Sequence, residues 1–469
     1  MNATPRAAAV LLASALALSC DSSYPLEIRV VLPENSDDLD RADNAALVLL
    51  PEGVAASYEI DGTDFSVELE VEPDELNRAV ELYLARGSEL LAWGRSAVFV
   101  TQAPTEDLAM FIGRPGALST YPGALDAPDP DVLAAAASGR GMVLLGSAGE
   151  TYLFNIFTLT AAAAQTLELE GGLPAPDDGA LVSDSVGGVV RVTWDAALTS
   201  HRFDPGSDSW SSVAITGASD IGPREGAAHL VDADREWMLI FGGGTSRDVV
   251  RLDLLTGDGD AYTAAALPDV ELTDPRAFAR ARWVTREGGP GEGVVLAGTS
   301  ASDVTALELL PSGGSAVAIG PLGPWEALDC VSLDISGAAL TGALRLLCAG
   351  GVRADQPTAD ALLLKLPPET WSAANVELEE LPGLLQDPMA EPRWFADDSA
   401  VYAQHDGRWL SLARDTLEVV VSTTPALRAR GGHSVKLSTG ATFLLGGVTT
   451  DGLAVDRWQV FTPSVGTAS

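Results

Sequence analysis

Apolar residues enter this chain in short bursts. From Pro25 to about residue 103, runs such as PLEIRVVLP, FSVELEVEP and AVELYLARG alternate apolar and polar positions, and Pro, Gly, Asp and Asn separate them. A period of two marks strands with one face buried, and the separators are turn formers. Six or seven such runs follow one another here, which predicts a small antiparallel sandwich of immunoglobulin-like type over residues 27–103. The Cys…Trp…Cys core of antibody domains is absent, so the expectation stops at the sandwich. The acidic run ENSDDLDRAD at 34–43 lacks the Gly that a calcium loop places at its turn. It reads as a solvated loop.

Beyond residue 104 the pattern changes to continuous apolar runs that end in glycine. GMVLLG ends at Gly146, GVVRVTW at Trp194, WMLIFG at Gly242, GVVLAG at Gly298, LRLLCAG at Gly350, SAVYA at Ala403 and TFLLG at Gly446, with a second glycine following at 243, 351 and 447. Successive markers lie 48, 48, 56, 52, 53 and 43 residues apart. A repeat of roughly 50 residues predicts radially arranged four-stranded units. The last unit supplies three strands, HSVKLS, ATFLLGG and DRWQVFTP. Its outermost strand is therefore expected from residues 108–120, so that both ends of the domain close one ring.

One pair of units shows the repeat at single-residue level. Arg224, His229, Gly242 and Gly243 return 204 positions later as Arg428, His433, Gly446 and Gly447. Arg-x4-His, an apolar strand, Gly-Gly, and a strand ending in an aromatic-Asp-Pro turn with a Trp (Phe203-Asp204-Pro205 through Trp210) resemble the kelch repeat. The resemblance covers about 104–467, best in the third and seventh units and least in the sixth. It implies a kelch-repeat β-propeller of the galactose-oxidase-like superfamily. Seven blades are expected, with six or eight as the alternatives the spacing leaves open. Because Arg224, His229 and their counterparts recur, they read as builders of the blade, the histidines hydrogen-bonded within it. The copper site of galactose oxidase needs a Tyr-Cys cross-link with further Tyr and His, a set not found here.

The first residues carry a cellular address. One positive charge precedes an apolar stretch at 7–19 (AAAVLLASALALS) that ends in Ala17-Leu18-Ser19-Cys20. The stretch has the length of a signal h-region and is too short to span a bilayer. It resembles the lipobox of bacterial lipoproteins. That resemblance implies a signal peptide at 1–19, lipidation of Cys20, a short tether at 20–26, and anchorage in the cell envelope by lipid alone, on the outer membrane or the periplasmic face of the inner one. Export would permit disulfides. Cys330 and Cys348 flank a strand–turn–strand pattern centred near Ala339, which places them opposite each other as a disulfide, or as two buried thiols.

Charge then narrows the partners. The chain has 28 Lys and Arg against 66 Asp and Glu, a net of −38. Phosphate neutralisation needs the opposite sign, so no nucleic acid is expected, nor a basic patch on anionic lipid. No P-loop, G-x-S-x-G, HExxH or dinucleotide fingerprint occurs, and no metal, cofactor or catalytic set is expected. Recognition is expected instead in the polar loops after the second strand of each unit, at 147–150, 244–248, 299–303, 352–360 and 448–456. Ser246, Arg247, Asp248, Arg353, Asp355, Thr450 and Asp451 are the candidates. The expected function is non-catalytic binding or scaffolding toward an unknown protein or glycan in the envelope. The alternative is an extracytoplasmic propeller enzyme, a hydrolase or oxidoreductase with its site at the central channel.

Overall fold

The computed structural model describes residues 24–59, 66–71, 75–100, 108–123, 132–169, 172–173, 178–232, 234–255, 261–284, 293–298, 307–311, 315–320, 322–334, 343–367, 371–405, 408–423, 432–447 and 457–465. They are almost wholly β. Two sheets come first. One orders Ser66–Val71, Tyr24–Val31 and Leu108–Phe111 side by side. The other orders Val54–Glu59, Asn44–Leu50, Asn77–Arg86 and Glu89–Arg95, with Phe99–Val100 beside Asn77 and Arg78. Between them lies one apolar cluster that includes Ile28, Leu47, Val80, Leu82, Leu84 and Met110. Each side chain of that size contributes about 1.5–3 kcal/mol on burial.

Two expectations need correction here. Leu108–Phe111 runs parallel to Tyr24–Val31, so the chain leaves these sheets after Phe111, downstream of the boundary expected at 103. The acidic run is not simply a solvated loop. It contains a short helix, Asp38–Arg41, and Asp38 is buried because Arg114 donates to it at 2.8 and 3.0 Å.

Apart from a small three-stranded sheet of Trp325–Glu326, Val352–Arg353 and Gln356–Pro357, the remaining strands form four-stranded antiparallel units, numbered 1 to 7 below. Their first strands are Val132–Ser138, Gly179–Ser183, Ala228–Val231, Arg280–Val284, Asp329–Ser332, Arg393–Ala396 and His433–Lys436. In unit 7 the fourth strand is Ala117–Thr120, which pairs with Gln459–Thr462. The ring therefore closes with chain from both ends, as the strand count required.

Why the second strands are mostly apolar follows from their position. In Trp237–Phe241, Met238 and Ile240 join the cluster shared with unit 2, while Leu239 and Phe241 join the cluster shared with unit 4. A strand sandwiched on both faces has no polar side to alternate with. Such clusters separate every consecutive pair of units, including 7 and 1, where Phe443 and Trp458 meet Met142 and Phe154. Units 2 and 3 additionally pair Ala214–Thr216 with Ala261–Thr263 in parallel.

Candidate binding site

The glycines that end the second strands turn where other groups seize their carbonyls. Arg224, itself buried, donates Nη1 to the Gly242 oxygen at 2.9 Å and to the Asp248 oxygen at 3.2 Å. Arg276 does the same for Gly298 at 2.8 Å, and in unit 5 the indole of Trp325 donates to Gly350 at 2.6 Å. Gly242 and Gly243 have φ of 60° and 92°, the left-handed region that favours glycine. Arg224 is thus a structural clamp on the turn.

His229 behaves otherwise. Its side chain is exposed rather than hydrogen-bonded within the blade, and it lines a central cavity. Its ring sits 5.7 Å from that of Trp194. The channel wall partly encloses the imidazole. That enclosure, with the charge of Arg191 added, pushes its pKa down to about 4, so it is neutral near pH 7.

The predicted loop residues have local employment. Arg247 donates Nε to the Leu272 oxygen at 2.8 Å and pairs with Glu271 at 3.4 Å. Ser246 and Asp248 bond each other, and Asp248 meets Arg224 at 3.3 Å. Arg353 lies 4.8 Å over the Trp325 ring and pairs with Asp360 at 3.6 Å. Asp355 is exposed, with φ of 61°. These contacts hold each loop to its own unit, and none joins the loop of unit 3 to that of unit 5. Cys330 and Cys348 face each other across neighbouring strands and are joined by a disulfide. Cys20, Arg428, Thr450 and Asp451 lie outside the described residues.

The innermost strands frame a channel. The first strands of units 1, 2, 3, 4 and 7 line a cavity of about 1260 Å³. Gly244, from the loop after the second strand of unit 3, lies at its wall with Phe278 and Ala327. The loop of unit 3 therefore borders the cavity. In a chain this acidic, cations at the wall are unexpected, yet Arg235, Arg280, Arg282 and Lys436 are there.

Arg280 and Arg282 converge on one carboxylate. Arg282 is bidentate to Asp329 at 3.0 and 2.7 Å, and Arg280 reaches it at 3.3 Å. Asp329 is 1% exposed. Burial would raise its pKa, but Arg282, Arg280 and the Cys330 amide together hold it below the usual carboxylate range. Arg393, from unit 6, stands close enough for Arg280 to repel its charge. Burial first, and then that repulsion, bring the Arg393 pKa down to about 10. Its buried Nη2 has no hydrogen-bond partner.

Sequence reasoning passed over these residues. The available signal was RARWV at 280–284, where two arginines two positions apart share one face of a strand. The repeat markers lie in the second strands and so drew the eye from the first.

No family model matches the chain, and no curated protein matches it. Among solved structures it is similar to a fungal alcohol oxidase of the AA5 family in complex with copper, at 11% identity over 82% of this chain and 68% of that one, TM-score 0.32. The extracellular domain of a putative one-component system from B. thetaiotaomicron is 10% identical over 82% of this chain and 50% of its own, TM-score 0.45. Sqt1 of Saccharomyces cerevisiae is 11% identical over 71% and 96%, TM-score 0.42. These likenesses are distant and assign no function.

Proposed function

We propose that this is a lipid-anchored binding protein of the bacterial envelope, in which an immunoglobulin-like sandwich carries a seven-bladed kelch-type propeller whose loop face receives a protein or glycan partner. One observation carries the reading. A cavity of about 1260 Å³, lined by first strands of several units, opens beside the loop of unit 3, which local bonds hold in place; this is a preformed concave site. A rigid scaffold with side chains converging from several units loses little freedom on binding. The N-terminal sheets are tied to unit 7, where Trp93 donates to the Pro463 oxygen at 2.7 Å. Among the described residues no helix is long and apolar enough to cross a membrane, so the reading places the anchor on Cys20.

The test has two arms. Cys20→Ser should move the protein from the membrane fraction to the soluble one, and unchanged retention would refute the lipid anchor. Cross-linking in intact cells, followed by detergent extraction, should capture a partner with wild type and lose it when Ala277, at the channel wall, is replaced by Trp. Capture indifferent to that plug would refute the loop face as the binding surface.

A further inference from the structure

The channel mouth holds a residue whose backbone conformation is costly for its type. Gly226, Phe278 and Ala327 occupy equivalent places, two residues before the first strands of units 3, 4 and 5, and all are left-handed, with φ of 66°, 57° and 51°. Glycine adopts that conformation freely and a bulky residue does not. Unit 4 nevertheless has phenylalanine. Its N–H donates to the Gly226 oxygen at 2.7 Å, and its ring comes within 3.0 Å of where a Cβ on Gly226 would stand. The ring therefore rests on bare backbone, and the side chain is 58% exposed at the mouth. Strain kept at an open site points from the outlier to function.

Two residues further along the chain the charge accumulates. Three guanidiniums, Arg280, Arg282 and Arg393, are compensated by one buried carboxylate, Asp329, with Glu391 at the channel wall as a second acid. One positive charge is left over in a chain whose net is −38. The buried Nη2 of Arg393 has no partner. Elsewhere on the wall Gly179 has no side chain, and behind it lies Arg191, 1% exposed, with Nε and Nη2 both unpartnered. Arginine forks of this kind match carboxylate geometry. Arg235 and Lys436 place further cations on the wall, spaced apart with Asp232 and Glu326 also on it, so the channel suits a chain of anionic units better than one small ion.

We propose that the channel binds an acidic oligosaccharide of the uronic-acid class, one carboxylate on Arg280 and Arg282 with the charge of Arg393 behind them, and a sugar ring lying on Phe278. The proposal rests on the binding reading above and names its ligand. The net charge of −38 opposes such a ligand over the surface at large, while the channel arginines favour it locally.

Calorimetry on the full chain in detergent, with trigalacturonate, the neutral trisaccharide of the same linkage, and inorganic sulfate as probes, tests it. Trigalacturonate should bind, the neutral sugar at least ~10-fold more weakly, and sulfate at least ~10-fold more weakly as well. Arg282→Gln should weaken trigalacturonate by ~10-fold or more. Phe278→Gly should weaken it similarly while leaving the melting temperature level or higher, because glycine relieves the left-handed backbone. Arg251→Gln, on a third strand away from the wall, should bind as wild type. Absent binding of trigalacturonate, binding unchanged in Phe278→Gly, or sulfate binding as tightly as the sugar would each overturn the proposal. Partner capture by cross-linking would still decide the broader reading independently.

Discussion

Phe461 offers the sharpest test of the closed ring. It lies on the last inner strand, is 2% exposed, and packs against Phe395, Tyr402 and Trp409 of unit 6 with ring centroids 5.6, 5.0 and 5.6 Å away. Its strand partner on the other side is Leu118, on the strand contributed from the N-terminal side. Phe461→Ala removes that ring and leaves a cavity, at a cost of about 3–5 kcal/mol. If units were independent, the loss would stay in units 6 and 7. In a closed ring it should appear everywhere that opens with the seam. Hydrogen exchange by mass spectrometry distinguishes these. We expect amides of Gly293–Ala297 in unit 4 to lose protection by about two to three and a half decades, the same factor as Thr442–Leu445 in unit 7. Protection in unit 4 left at the wild-type level would refute closure as the source of global stability. Leu118→Ala, approaching the seam from its other side, should reproduce the pattern at about 2–5 kcal/mol.

Other outcomes follow from single sites. Arg224→Met removes a charged donor from the Gly242 and Asp248 carbonyls and should cost about 2–3 kcal/mol by urea denaturation, with Arg224→Lys failing to restore it. Replacing both Cys330 and Cys348 by Ala opens a loop with a separation of 18 residues and should cost about 3 kcal/mol on the chain-entropy model, read by melting with and without reductant. His229 titrates at about 4 when folded and 6.5 otherwise, so the unfolded chain binds the extra proton between those values. Stability should therefore fall as pH drops from 6.5 toward 4, and His229→Gln should flatten that slope in melts across the window.

Much of the architecture was legible because burial leaves a period. The run WMLIFGG at 237–243 is apolar on both faces because two neighbouring units flank it, and a largely apolar run stands at the same place in the other units. Closure was legible by counting, since the last unit was one strand short. The domain boundary was not, because Leu108–Phe111 is as apolar as any ring strand, and only its parallel pairing with Tyr24–Val31 shows which body holds it. The channel was harder still. Arg280, Arg282 and Arg393 come from strands more than 100 residues apart, and no local pattern reports on meeting at an axis. His229 shows the converse, since recurrence marked it as a blade builder while its side chain faces the cavity.

The seam between Gln459–Thr462 and Ala117–Thr120 also governs when this protein can exist. Ser119 and Val460 are bonded across 341 residues, so a strand made early waits, unpaired on one edge, for one made near the end. A ribosome stalled anywhere in the ring yields an open fan of sheets with a naked edge, which invites proteases and aggregation. Only a chain synthesised through residue 462 can hide that edge, and the seam therefore acts as a proofreading step on biosynthesis.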